Sequence, residues 1–317
     1  MSNLNRFALF IVISLFAISA KAEPMAYSVN SDSNGGDSLY LIDLATGTDQ
    51  LRGKLFTGIE DRTDTEGLAF SSDPGSLLWG IDDASGTLFP ISPANGSINY
   101  EEEIQLPFEF QSGGGNDFGM TFACDSSLYF TSVKSKTLYR RDQGGSFTTV
   151  GTQGALGVNI SAIAAFGNPV RLYGLGNGQL ENGDTDSPHL YSIDLTTGIA
   201  SLVGPLSDTS EFIYNEAGLA FDSNGGLWAI TDRSQIGNQK SQILSIDVAS
   251  GAATLIATTL NEVGYESLAI SPPSNCVTSV GSGDGLPRIP TLNVAGRFSA
   301  ILVLMLAGML ILRRRYT

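Results

Sequence analysis

Between residues 24 and 273, apolar and polar positions alternate over short runs bounded by Gly, Asp, Asn and Ser, the pattern of β-strands joined by tight turns. One run recurs. Leu39-Tyr-Leu-Ile-Asp43 returns as Leu88-Phe-Pro-Ile-Ser92, Leu138-Tyr-Arg-Arg-Asp142, Leu190-Tyr-Ser-Ile-Asp194 and Ile243-Leu-Ser-Ile-Asp247, with starts 49, 50, 52 and 53 residues apart. A glycine follows each: Gly47, Gly96, Gly198 and Gly251 four positions on, Gly145 three positions on. The acid can accept turn N–H groups and the glycine can take positive φ, so each copy predicts a strand running into a hairpin. A second strand follows each turn, over residues 48–56, 97–104, 146–153, 199–206 and 252–260. Upstream lies a strand carrying Tyr27, Trp79, Tyr129, Tyr173 or Trp228, and upstream again a run of small and apolar residues at 67–70, 119–122, 162–166, 218–221 and 267–270.

Four antiparallel strands in about 50 residues are the unit of a β-propeller blade. The small residues suit the innermost strand, where blades converge, and the aromatics suit the widening wedge between sheets. The first copy lacks its inner strand, and an unpaired inner strand remains at 267–270. The expectation is therefore an all-β, five-bladed β-propeller over residues 23–273, in which N- and C-terminal strands share one blade and close the ring. Residues 274–288, rich in Ser, Gly and Pro, are expected to be a flexible linker.

The ends of the chain read differently. Residues 1–22 combine Arg6, an apolar run over 7–18 and the small-x-small site Ala20-Lys21-Ala22, which predicts a cleaved secretory signal peptide. Residues 298–312 are uncharged and mostly apolar and are followed by Arg313, Arg314 and Arg315, a transmembrane helix with a cytoplasmic basic tail by the positive-inside rule. Ile289-Pro290-Thr291-Leu292, then this helix, then the terminal arginines, resembles the IPTL-CTERM sorting signal, similar to the PEP-CTERM class, of Gram-negative bacteria. Gly296 matches that pattern, and Ala295 stands where the pattern has tryptophan. The resemblance covers residues 289–317. It implies signal peptidase and an exosortase-like sorting protease as partners, anchoring in the inner membrane by the C-terminal helix, and then transfer to the cell surface or release outside the cell.

Charge narrows the choice of partners. The 317-residue chain has 17 basic and 32 acidic residues, a net charge of −15. Six of the basic residues stand before residue 23 or after residue 290, while all the acids lie between, so the body is more acidic still. Such a body repels phosphate backbones and argues against nucleic acid. The one histidine, His189, argues against a His cluster or triad and is expected at a surface or edge, and two cysteines rule out a four-cysteine zinc site.

Acids gather just before the inner strands: Asp64, Glu66, Asp117, Glu216 and Glu266. Glu66, Asp117, Glu216 and Glu266 are candidate ligands for Ca²⁺ or Mg²⁺ at one mouth of the channel, since hard cations take several oxygens. They could equally be an acid/base pair or solvated loop carboxylates. Spacing argues against full convergence. Glu66 and Glu266 stand four residues before the end of their strands and Asp117 and Glu216 five, so alternation aims the two pairs oppositely. The copy around residue 162 offers Asn159 and Ser161 and no acid. Residues 181–186, with Glu181, Asp184 and Asp186, and the stretch Asp32 to Asp37 are weaker calcium candidates without a closing bidentate glutamate. Cys124 and Cys276 both follow inner strands and either form a disulfide across the ring or remain free thiols. Gly113-Gly-Gly115 lacks the Lys-Ser/Thr of a phosphate loop.

No catalytic set is recognisable. The expected function is non-enzymatic: a binding or scaffold protein of the cell envelope or extracellular matrix that engages a small ligand, a glycan or a protein. The alternative is a carboxylate- or metal-dependent hydrolase or lyase acting in the propeller channel.

Overall fold

A computed structural model describes residues 24–30, 36–72, 77–107, 116–176, 188–207, 209–260 and 264–271. Among them, twenty strands form five four-stranded antiparallel sheets, each a blade. Blade 2 is β4 (Thr65–Phe70), β5 (Leu78–Asp82), β6 (Thr87–Ile91) and β7 (Ile104–Gln105). Blade 3 is β8 (Met120–Phe122), β9 (Leu128–Ser132), β10 (Thr137–Arg141) and β11 (Phe147–Thr149). Blade 4 is β12 (Ile160–Phe166), β13 (Arg171–Gly176), β14 (His189–Ile193) and β15 (Ala200–Pro205), and blade 5 is β16 (Ala217–Phe221), β17 (Leu227–Thr231), β18 (Gln242–Ile246) and β19 (Ala253–Thr258). Blade 1 draws β1 (Met25–Asn30), β2 (Ser38–Asp43) and β3 (Asp49–Lys54) from the start of the domain and its inner strand β20 (Ala269–Ile270) from the end. Tyr27 pairs with Ala269 and Ala26 with Ile270, so the ring closes as the repeat offset predicts.

The inner strands touch in a closed circuit, β20 to β4 to β8 to β12 to β16 and back to β20. Small residues make that approach possible. A Cβ on Gly218 would stand 2.2 Å from the backbone carbon of Ser267, and one on Gly119 would stand 2.9 Å from Ala162 Cα. Burial falls outward: every residue of β4 is buried, while β19 is mostly exposed. Between blades, the aromatic of one second strand meets the phenylalanine that ends the next inner strand: Tyr27 with Phe70 at 5.7 Å, Trp79 with Phe122 at 6.5 Å and Tyr173 with Phe221 at 5.8 Å.

The hairpins follow the sequence reading. Asp194 Oδ1 accepts the N–H groups of Thr196 (2.9 Å) and Thr197 (2.7 Å), and Gly198 takes φ +72°. Those bonds hold the Asp194 carboxyl below the usual range. The outer strand of blade 2 differs from expectation. Residues 97–104 are not one strand: Asn99 caps a 3₁₀ turn, Tyr100–Glu102, and β7 begins only at Ile104. The Asn99 side chain accepts from Glu101 N–H and donates to Glu102 Oε1, a local alternative to strand pairing.

Cys124, two residues past β8, is disulfide-bonded. Cys276 lies outside the described residues, as do 1–22, the Asp32 end of the first calcium candidate, 113–115, 181–186, the 274–288 linker and the whole 289–317 segment. Among the described residues no helix is long and apolar enough to cross a membrane.

Candidate functional site: a carboxylate cluster in the channel

The channel is lined by all five inner strands or the residues leading into them, among them Glu66, Ser161, Glu266 and Gly218. The void beside these residues is about 10 Å³, room for one water-sized species, and a second of about 30 Å³ lies among the same strands beside Phe70, Phe122 and Phe221. Glu66, Glu216 and Glu266, from blades 2, 5 and 1, each place a carboxylate oxygen within 4.8 Å of the other two. Glu66 and Glu266 are buried, at 8% and 4% exposure, and Glu216 is half-buried.

The four acids do not all converge, as expected, but the expected division into two oppositely aimed pairs is corrected for Glu216, which joins Glu66 and Glu266, and the cause is backbone geometry. Thr65 pairs with Asp82 and Gly67 with Ile81, which leaves Glu66 as the extra residue of a β-bulge. A bulge breaks the two-residue alternation and re-aims a side chain. In blade 5 the pairing runs without a bulge from Phe221 to Ala217, and Glu216 accepts an N–H bond from Asp232 just before β16. One bulged and one regular strand therefore bring acids of different spacing to one point. Asp117 stands outside the cluster. It is half-buried, its carbonyl accepts from Val133 N–H, and its charge still reaches Glu66.

Blade 4 carries a matching bulge at Ser161, between Ile160 and Ala162. Ser161 lines the channel at 4% exposure, and its Oγ has no hydrogen-bond partner. Spacing alone missed Ser161 as a channel donor, because it looks only like an absence of acid; its place in the repeat beside Glu66 is the signal that could have found it. Glu66 Oε2 is likewise buried and unpartnered.

Electrostatics raise the cost of this arrangement. Burial first, then the charges of Glu216 and Glu266, push the Glu66 carboxyl well above the usual range. Carboxylate oxygens of Glu66 and Glu216 stand within 4.8 Å, close enough that a proton held by one relieves the repulsion between them. Two neutralising agents fit such a cluster: shared protons, or a cation that displaces them. Three carboxylates offer up to six oxygens and Ser161 a neutral one, a donor set suited to a hard cation.

Nearby, Asp37 is fully buried and accepts from Thr65 N–H at 2.8 Å, while its Oδ1 has no partner. Burial raises its carboxyl to about 7. His189 opens β14, an interior strand of blade 4, pairs with Pro205 and is half-buried, so it is neither on an edge strand nor fully exposed.

No family model matches the chain, and no curated protein matches it. Solved structures resemble the fold. A virginiamycin B lyase from Staphylococcus aureus, in a catalytically inactive form with quinupristin, is 17% identical with a TM-score of 0.40, over 74% of this chain and 71% of that one. A nidogen/laminin complex chain is 13% identical with a TM-score of 0.46, over 78% and 97%. A protein of unknown function from Bacteroides caccae is 13% identical with a TM-score of 0.43, over 78% and 98%. At these identities the likeness is one of fold alone.

Proposed function

We propose that the protein is an exported, surface-sorted β-propeller that binds or scaffolds, and that Glu66, Glu216 and Glu266 hold a divalent cation of the Ca²⁺ or Mg²⁺ class at the mouth of its channel. The observation that carries this is the meeting of three carboxylates from three blades within 4.8 Å, beside a void that admits a single water-sized species. A space of that size suits an ion, and this supports the binding reading. A cation bridging blades 1, 2 and 5 would tie the closing strand into the ring. Ser161 and the unpaired Glu66 oxygen are the groups with capacity to spare.

Export rests on residues 1–22 and on the 289–317 segment, with residues 23–273 as the propeller and 274–288 as the linker. Cys124 pairs with Cys276 in this reading, fastening the root of the linker to blade 3.

Metal content of the purified full-length protein, and its melting temperature in EDTA and in millimolar Ca²⁺ or Mg²⁺, test the cation site. Equal melting in all three media, with no metal bound, would remove it. Mass spectrometry of the mature C-terminus tests sorting: an intact Arg313–Thr317 tail on all surface-exposed protein would exclude processing.

A further inference from the structure

Beyond the channel, the five wedges between blades are not equivalent. The fourth residue of the recurring segment is Ile42, Ile91, Ile193 or Ile246 in four blades, at 0 to 5% exposure. Each pairs with the first or second residue of the neighbouring strand: Ile91 with Leu78, Ile193 with Leu172, Ile246 with Leu227 and Ile42 with Ala26. In blade 3 the same position, paired with Leu128, is Arg141.

Where the other wedges are filled by isoleucine, the wedge between blades 2 and 3 contains a cavity of about 260 Å³. Its walls include Trp79, Leu88, Phe122 and Leu128, and Arg141 stands among them. The guanidinium lies 5.8 Å from the centre of the Phe147 ring, and its Nε is buried with no hydrogen-bond partner. No ion pair holds Arg141 among the described residues. A cation introduced into an aromatic wedge without a partner costs stability unless an anion completes it.

We propose that this inter-blade cavity is a binding site for a small aromatic carboxylate, with the ring packed against the wall that Trp79, Phe122 and Leu128 form and the carboxylate on Arg141. The volume suits a ligand of one ring with a short acidic chain, smaller than a typical drug-sized occupant. A planar guanidinium matches a carboxylate better than any other residue would. The site stands apart from the channel cluster and does not depend on a cation there.

The test uses 3-phenylpropanoate and its neutral analogue 3-phenylpropan-1-ol as probes of the purified full-length protein, by titration calorimetry and ligand-observed NMR. The acid binds saturably and about tenfold or more tighter than the alcohol. Arg141→Ile, which installs the residue that packs the other four wedges, keeps the fold by circular dichroism and loses that preference. Equal binding of acid and alcohol to the unmutated protein overturns the proposal whatever the variant does. So does absence of saturable binding, or undiminished binding of the acid to folded Arg141→Ile.

Discussion

Ser28 donates its hydroxyl to the carbonyl of Ser267, and Ser267 in turn accepts the Val29 N–H on its own hydroxyl at 3.1 Å, across nearly the whole length of the domain. With the two-residue ladder of β20 these bonds form the seam of the ring. Tyr265, fully buried, adds a bond from its hydroxyl to Asp49 Oδ2 at 2.6 Å, and burial together with Asp49 raises its phenol above the ordinary value. A closed sheet order with so short a final strand depends on side chains to complete what the ladder leaves undone.

Gly218→Ala strikes this seam from blade 5. The added methyl meets backbone atoms of Ser267 and Leu268 at 2.2 and 2.3 Å, which no rotamer change relieves. Blade 5 must retreat from β20, at a cost of about 2–3 kcal/mol. Urea unfolding of the variant should show a lower midpoint, and protease sensitivity should rise first near residues 264–271. A midpoint equal to wild type would mean that the contact is not made.

The pH dependence of stability has a definite sign. Asp37 binds its proton up to about pH 7 when folded and only to the ordinary carboxylate range when unfolded, so the native state holds more protons in between. Cation-free protein should therefore lose stability as pH rises from about 4 to 7, and Glu66 adds a loss in the same direction. Asp37→Asn keeps an oxygen for Thr65 N–H and removes the charge. It should be more stable than wild type by about 2–4 kcal/mol at pH 8 and converge with it near pH 4. Melting curves at both pH values decide it; a variant less stable at pH 8 would refute the assignment.

Cation binding inverts that trend. Glu66 and its neighbours must give up shared protons to ligate, so affinity should rise with pH and binding should release protons. At about 100 times its dissociation constant the cation should stabilise the fold by about 2.7 kcal/mol. Glu266→Gln should abolish most of that gain while leaving cation-free protein at least as stable, because it removes a charge from a crowded, buried set. Calorimetry in two buffers of different ionisation heat reads the proton release.

Cys124→Ser should destabilise the protein by about 2–4 kcal/mol under oxidising conditions and have no effect once wild type is reduced. Thiol labelling with mass measurement before and after reduction identifies the partner. Free thiols in protein exported under oxidising conditions would count against the Cys124–Cys276 pair.

What could be read from the residues, and what could not, divides along a physical line. The blade number, the order of strands and the shared blade were legible because a 50-residue period and small, aromatic and turn residues within it each report a local preference that the fold respects. The extended outer strand at 97–104 was misread because Asn99 offers its neighbours a capping bond that no periodicity reveals. Convergence of the glutamates was hidden for another reason. Strand alternation is a rule of the regular ladder, and a single extra residue at Glu66 cancels it. Arg141 was visible in the repeat as the one charge in a column of isoleucines, but only the cavity beside it gives that departure a meaning.

The seam has a directional consequence. Met25 begins β1 and Ile270 ends β20 side by side on the same blade. The three glutamates stand before or at the start of the inner strands, while Ile270 finishes one, so both ends of the ring depart from the side opposite the acids. The described ring therefore begins and ends at one rim, and its glutamate cluster lies toward the other, so a tag or tether at Met25 or Ile270 leaves the cluster's mouth clear.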